Sequence, residues 1–158
     1  MSALAVVQAR MTSTRLPAKS LADVDGEPML ALLLNRLRRA RRVGRIIVAT
    51  SVDADDDPIE ETVRAMGFAV HRGSRDDVLA RIAGAVGGHS GAVVRITGDC
   101  PLTDPAIVDE VVDLFGRTAG CAYASNVEPR TYPDGLDVEV VSTDALREVG
   151  RASCRERV

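Results

Sequence analysis

The sequence predicts an α/β fold, a three-layer αβα sandwich around a mainly parallel sheet. Three observations lead there. Short β-branched runs recur with little polar interruption, each gives way to apolar residues at helical spacing, and Asp-Pro pairs open two of those helical stretches. Near-continuous apolar strands belong to sheets covered on both faces. Strand–helix alternation belongs to parallel βαβ units.

Taken in order, Ala3–Gln8 reads as the first strand and Arg45–Thr50 as the second. Between them Leu30, Leu33, Leu34 and Leu37 fall at i, i+3, i+4 and i+7, the stripe of an amphipathic helix. Asp57 and Pro58 read as an N-cap and first-turn pair, opening a helix that turns Ile59, Val63 and Met66 inward. Phe68–His71 reads as a strand, and Val78, Leu79, Ile82, Ala83 and Val86 line the helix after it. Ala92–Thr97 is a further strand. Asp104–Pro105 repeats the start signal ahead of Ile107, Val108, Val111, Val112 and Phe115. Beyond Gly116 the pattern loosens into strands at Cys121–Ser125 and Asp137–Val141 with a loop between. The domain is expected to span residues 1–149 and to be incomplete at its C-terminal end. The polar, Arg-rich residues 150–158 (GRASCRERV) read as a non-native tail, similar to a translated sequencing adapter, with a genuine basic tail as the alternative.

Composition bounds the function. At 158 residues the chain suits one domain with a sizeable core. A net charge of -3 gives no general attraction to nucleic acid or to acidic membranes. No apolar run approaches the ~20 residues that span a bilayer. The opening residues show no signal peptide. Cys100, Cys121 and Cys154 suggest neither a disulfide framework nor a metal knuckle, so a cytoplasmic location is expected. Arginine supplies 19 of the 20 basic residues, and the single lysine is Lys19. A position that keeps lysine in so arginine-rich a chain points to a need for a compact ammonium.

That lysine lies in the loop after the first strand, QARMTSTRLPAKSL, with Arg10, Arg15 and the hydroxyls of Thr12, Ser13 and Thr14. Ligands of open α/β sheets sit beyond the carboxyl ends of the strands. Cations and hydroxyls at that edge suit a polyphosphate, and Pro17 restricts the backbone that carries them. A solvated basic loop is the alternative reading. A Walker sequence is absent. At Thr97-Gly98-Asp99-Cys100-Pro101 a carboxylate follows a buried strand, and Mg²⁺ prefers few carboxylates together with phosphate oxygens and waters. Asp99 is therefore the candidate metal ligand, since the helix-capping position belongs to Asp104. Asn126–Glu139 is polar, and Asp137 and Glu139 are expected on one strand face. That segment reads either as a sugar-facing wall or as a solvated face. The arginines between Arg36 and Arg45 lack neighbouring aromatics and read as a solvated helix face, not a nucleic-acid patch. His71 and His89 lack ligand spacing, and Cys100 has no evident histidine partner.

The string VVQARMTSTRLPAKSLADVDGEPML resembles the N-terminal signature of sugar-acid cytidylyltransferases, including the 3-deoxy-manno-octulosonate and acylneuraminate types, and is most similar to the SpsF-type spore-coat polysaccharide branch. RIIVATS, HRGSRDDVLAR, VVRITGDCPLTDP and SNVEPRTYPDGLDVEV follow in matching order. Ala18 departs from that branch, which commonly has Gly there. The resemblance implies a Rossmann-like nucleotide-diphospho-sugar transferase fold and transfer of CMP from CTP to a sugar or sugar-acid hydroxyl, with Mg²⁺ as cofactor. It implies that Arg10, Ser13, Arg15 and Lys19 hold the triphosphate and that Thr50 and Ser51 lie near the base. Asp77 and Arg81 would add base or ribose contacts, against the alternative of an exposed helix-end acid and a surface arginine. Asn126, Arg130, Tyr132, Asp134, Asp137 and Glu139 would wall the acceptor. Arg15, Lys19 and Asp99 would be the catalytic groups. A second metal carboxylate is implied in a C-terminal V-D-T-P-E-D block, which this sequence lacks, and a homodimer is implied for the full-length protein. The rival readings are a nucleotidyltransferase using another nucleoside triphosphate, a glycosyltransferase of related architecture, and a truncated, inactive nucleotide-binding fragment. A glycosyltransferase of that kind usually carries an acidic D-x-D pair, and GDC has one Asp.

Overall fold

The structure is a computed structural model that describes residues 2–12 and 16–155, with side chains through Gly150. A six-stranded sheet runs in the order β5-β4-β1-β6-β8-β7. β1 (Ala3–Gln8) lies between β4 (Val43–Ser51) and β6 (Ala92–Thr97) and is parallel to both. β5 (Ala69–Gly73) extends the parallel set. β8 (Glu139–Ser142) pairs antiparallel with β6, and β7 (Tyr123–Ser125) with β8. The expected αβα sandwich with a mainly parallel sheet is what forms.

β1 shows why its sequence is a continuous apolar run. Ala3, Ala5 and Val7 enter the core beneath α1 (Met29–Leu37), α2 (Asp57–Ala65) and α4 (Pro105–Arg117). Leu4 and Val6 enter a second core beneath α3 (Val78–Val86) and α5 (Thr143–Arg155). Alternate side chains leave opposite faces of a strand, so burial of both faces demands an apolar residue at every position. Gln8 is the first polar residue of the strand, and it falls on the α3 side at the ligand edge.

Several boundaries differ from the sequence reading, each for a local reason. β5 covers Ala69–Gly73, not Phe68–His71, because Arg72 stays in the ladder while its guanidinium is satisfied at the strand end. β4 likewise extends beyond Arg45–Thr50 at both ends. The strands expected at Cys121–Ser125 and Asp137–Val141 are Tyr123–Ser125 and Glu139–Ser142. The residue in the N-cap position of α2 is Asp56, with Asp57 the first helical residue. Asp104 does cap α4, accepting the Ala106 amide at 2.8 Å. A short hairpin of β2 (Asp23–Val24) and β3 (Glu27–Pro28) escaped the reading. It turns on Asp25 and Gly26, both at positive φ, the conformation that Asp-Gly turns favour. α5 continues through Gly150 to Arg155, so the backbone of the segment expected as foreign is helical that far. The arginines after α1 meet α4: Arg42 pairs with Asp113 at 2.8 Å, and Asp109 accepts the Arg41 and Arg42 amides.

Candidate nucleotide site at the carboxyl edge

The loop after β1 meets the loop after β6. Gly98 donates its amide to the Gln8 carbonyl at 2.7 Å, and a Cβ on Gly98 would lie 2.6 Å from that oxygen. Only glycine permits this approach, and it sets Asp99 beside the first loop. Lys19 Nζ donates to Asp99 Oδ2 at 3.0 Å, across 80 residues of sequence. Burial pushes the Asp99 carboxyl up, but the Lys19 hydrogen bond and charge, with the Thr97 hydroxyl and a backbone amide, hold the group below its ordinary value. Lys19 opens a 3-10 turn, Lys19–Leu21, reached through Ala18 in the left-handed region at φ 58°. That conformation is the physical reason for a glycine preference at Ala18. Ser13 and Arg15 lie outside the described residues.

The base of the loop is held from below. The Asp56 carboxylate, with the residue 1% exposed, accepts the Met11 amide at 2.7 Å and the Ser51 amide at 3.0 Å. It also accepts the Ser51 hydroxyl. Burial raises this carboxyl, yet the Met11 and Ser51 donors, with the Thr50 hydroxyl, prevail and lower it. Arg72 secures the same turn, donating Nε to the Ser51 carbonyl at 2.8 Å and Nη2 to the Asp53 carbonyl at 2.7 Å. Its Nη1 pairs with Asp57 at 2.6 Å and Glu60 at 2.8 Å. The hydroxyl, amide and carbonyl of Ser51 are thus all engaged within the protein. Thr50 is fully buried.

Asp77 accepts the Ala80 amide at 2.9 Å and so caps α3. The alternative of Arg81 as a surface arginine is overturned: the residue is 1% exposed, beneath the end of β5. Its Nη1 donates to the Ser74 and Arg75 carbonyls. Nε and Nη2 have no partner among the described residues, and neither does the buried Gln8 Oε1. Burial lowers the guanidinium's proton affinity and the Arg10 charge lowers it further, against Asp56 and Asp77. A buried, partly unsatisfied cation is expensive unless something completes it.

The expected acceptor wall divides. Arg130 grips Asp137 at 2.6 Å and reaches Asp134 at 3.5 Å. Burial pushes the Cys100 thiol up, the Thr97 hydroxyl opposes it, and the Asp99, Asp137 and Asp134 charges push it further. Asp137 and Glu139 have different partners. The strand begins only at Glu139, whose carboxylate pairs with Arg95 and accepts the Tyr123 hydroxyl at 2.9 Å. An open cavity of about 550 Å³ lies there, lined by Tyr123, Ser125, Val127, Glu128 and Glu139. Tyr132 leaves in another direction and donates to Glu110 of α4 at 2.8 Å. Asn126 pins the loop, donating to the Leu136 carbonyl and accepting the Val138 amide.

A family model described as cytidylyltransferase matches residues 4–132. The chain belongs to this cytidylyltransferase family. It is 41% identical over 117 residues to a 3-deoxy-manno-octulosonate cytidylyltransferase of Geobacter sulfurreducens, covering 71% of the chain and 44% of that protein. It is 31% identical over 159 residues to the spore coat polysaccharide biosynthesis protein SpsF of Bacillus subtilis, covering 97% of the chain and 64% of that protein. A cytidylyltransferase structure from Leptospira borgpetersenii serovar Hardjo-bovis superposes with a TM-score of 0.89 at 33% identity, covering 96% of this chain and 65% of that one. The chain therefore spans 44% to 64% of the length of these two curated relatives. The five ordered blocks of the sequence point to this family.

Around this candidate site, Gln8, Asp56, Arg72 and Arg95 carry geometry that the sequence reading passed over. Gln8 and Arg95 had a signal, a polar residue inside an otherwise apolar strand. Asp56 had none, as the middle of the run Asp55-Asp56-Asp57. For a divalent cation the described residues offer the Asp99 carboxylate at the ligand edge. No group of three or more His, Cys, Asp or Glu side chains among the described residues could hold one. One half-exposed carboxylate fits an ion that takes its other ligands from water and phosphate, as Mg²⁺ does.

Proposed function

We propose that the full-length protein transfers CMP from CTP to a hydroxyl of a sugar or sugar acid, releasing pyrophosphate, for polysaccharide synthesis. The observation that carries this is the contact of Lys19 with Asp99, which puts an ammonium and a carboxylate at one point of the ligand edge. Arg10, Ser13, Arg15 and Lys19 take the phosphate oxygens and orient the α-phosphorus. The acceptor oxygen forms its bond to that phosphorus as the bond to the β-phosphate oxygen breaks, and the hydroxyl proton passes to solvent. Asp99 would hold Mg²⁺, which supplies charge neutralisation on the phosphates when bound.

For the base, the unpartnered Nε and Nη2 of Arg81 are two donors suited to adjacent acceptors. Cytosine offers N3 and O2, whereas uracil carries a hydrogen on N3. The Gln8 carbonyl is an acceptor for the cytosine amino group. These atoms are shielded from solvent, so a base reaches them only with a shift of the side chains over them. Thr50, Ser51 and Asp77 frame this subsite, the last by fixing the first turn of α3. Arg130, Asp134 and Asp137 form the acceptor side next to Asp99, with Asn126 and Tyr132 holding the loop and Glu139 further out. A cytoplasmic homodimer completes the proposal. No described helix is long and apolar enough to cross a membrane.

The test is pyrophosphate release by the full-length protein with a panel of nucleoside triphosphates and sugar acids. Release with CTP and a sugar acid is expected. Release with GTP, UTP or ATP in preference to CTP would contradict the assignment.

A further inference from the structure

We infer that Asp56 is a positioning residue that sets the phosphate-binding loop against the end of β4. The inference rests on the loop's proposed role and adds a residue outside it. Asp56 occupies the N-cap position of α2, where an Asp side chain ordinarily accepts an amide of the first helical turn. Here it makes no capping hydrogen bond. The carboxylate turns inward, and its recorded hydrogen bonds all run to the two segments that flank the site: the Met11 amide, 45 residues away, and the Ser51 amide and hydroxyl. Met11 is where the loop closes, since its carbonyl accepts the Ala18 amide at 2.9 Å. Ser20 strengthens the closure by donating to the Arg10 carbonyl at 3.0 Å. A continuous chain of contacts runs from Asp56 through Met11 to Ala18. Lys19 is the next residue, and its ammonium reaches Asp99. Arg72 fixes the other end by holding the Ser51 and Asp53 carbonyls. The carboxylate therefore sets where Lys19 stands without itself being one of the phosphate-binding groups.

The test uses calorimetry with inorganic tripolyphosphate on the whole chain. Asp56→Asn keeps the shape but has one acceptor oxygen for donors on two sides, so either Met11 or Ser51 faces an amide N–H. Asp109→Ala serves as the control, since it removes the acceptor of the Arg41 and Arg42 amides at the opposite edge of the sheet. Asp56→Asn is expected to weaken tripolyphosphate binding by about tenfold, the scale of one charge-assisted hydrogen bond. Asp109→Ala should lower the melting temperature and change that affinity less than about twofold. Equal affinity losses in the two variants, or unchanged affinity in Asp56→Asn, would overturn the inference. If Asp56→Asn does not fold, amide hydrogen exchange on the unaltered chain decides: Met11 and Ser51 should be protected together, and fast exchange at Met11 sinks the idea. Protection at Met11 with no tripolyphosphate binding would leave the coupling standing and remove the phosphate reading instead.

Discussion

Ala18 shows how much one side chain can cost the loop. A left-handed backbone brings Cβ towards the following carbonyl, at roughly 1–2 kcal/mol for an L residue. Glycine removes that penalty and returns part of the gain through the entropy of the unfolded chain. Ala18→Gly is expected to raise stability by about 0.5–1 kcal/mol, read from denaturant midpoints. No gain would mean that the left-handed turn is relaxed in solution. Asp56 carries a pH signature. Its folded carboxyl lies below the ordinary value of 3.8, so the unfolded chain binds its proton more readily. The stabilisation is complete above that ordinary value and is lost as pH falls through the folded value. Asp56→Asn should therefore cost about 1–3 kcal/mol at neutral pH. It should also flatten the stability curve below the ordinary Asp range. Parallel acid limbs in the two proteins would assign the acid sensitivity elsewhere.

The elements bind these residues together. Gly98 lets the end of β6 press on the end of β1, and Gly98→Ala would drive a methyl into the Gln8 carbonyl and the Ala9 side chain. The strand ends must part, at about 1–3 kcal/mol. Asp99 would move away from Lys19, so calorimetry should register weaker CTP binding as well as a lower melting temperature. An unchanged affinity would separate the strand contact from the site. The elements also show what a sequence can reveal. β1 and β6 were legible to the residue because both of their faces are covered, and α4 because Asp104 caps it in the ordinary way. β5 was read short because Arg72 does not look like a strand residue until its four partners are known. The N-cap of α2 was misplaced for a related reason: Asp56 stands in that position and spends its carboxylate on another segment. Spacing predicts which face a side chain leaves from, but not which distant group meets it. The strand expected from Asp137 begins only at Glu139, and the two carboxylates meet different arginines.

At the scale of the molecule, the sheet order explains why residues so far apart in sequence share one site. β1, β4 and β6 are neighbours in the sheet and parallel, so the loops after them open on one edge. Arg10 and Lys19 come from the first loop, Ser51 and Asp56 from the second, and Asp99 from the third. Lys19 and Asp99 could be singled out before the fold was known, because their residue types suit polyphosphate and metal. Their contact at 3.0 Å is what the fold adds. The account rests on that pair serving three linked phosphates. Calorimetry with CTP and CMP, in the presence of Mg²⁺, on the protein and on Lys19→Ala tests it most directly. CTP affinity should fall by about tenfold or more in the variant, the scale of one charge-assisted contact, while CMP affinity changes little. Equal losses for CTP and CMP would contradict the account.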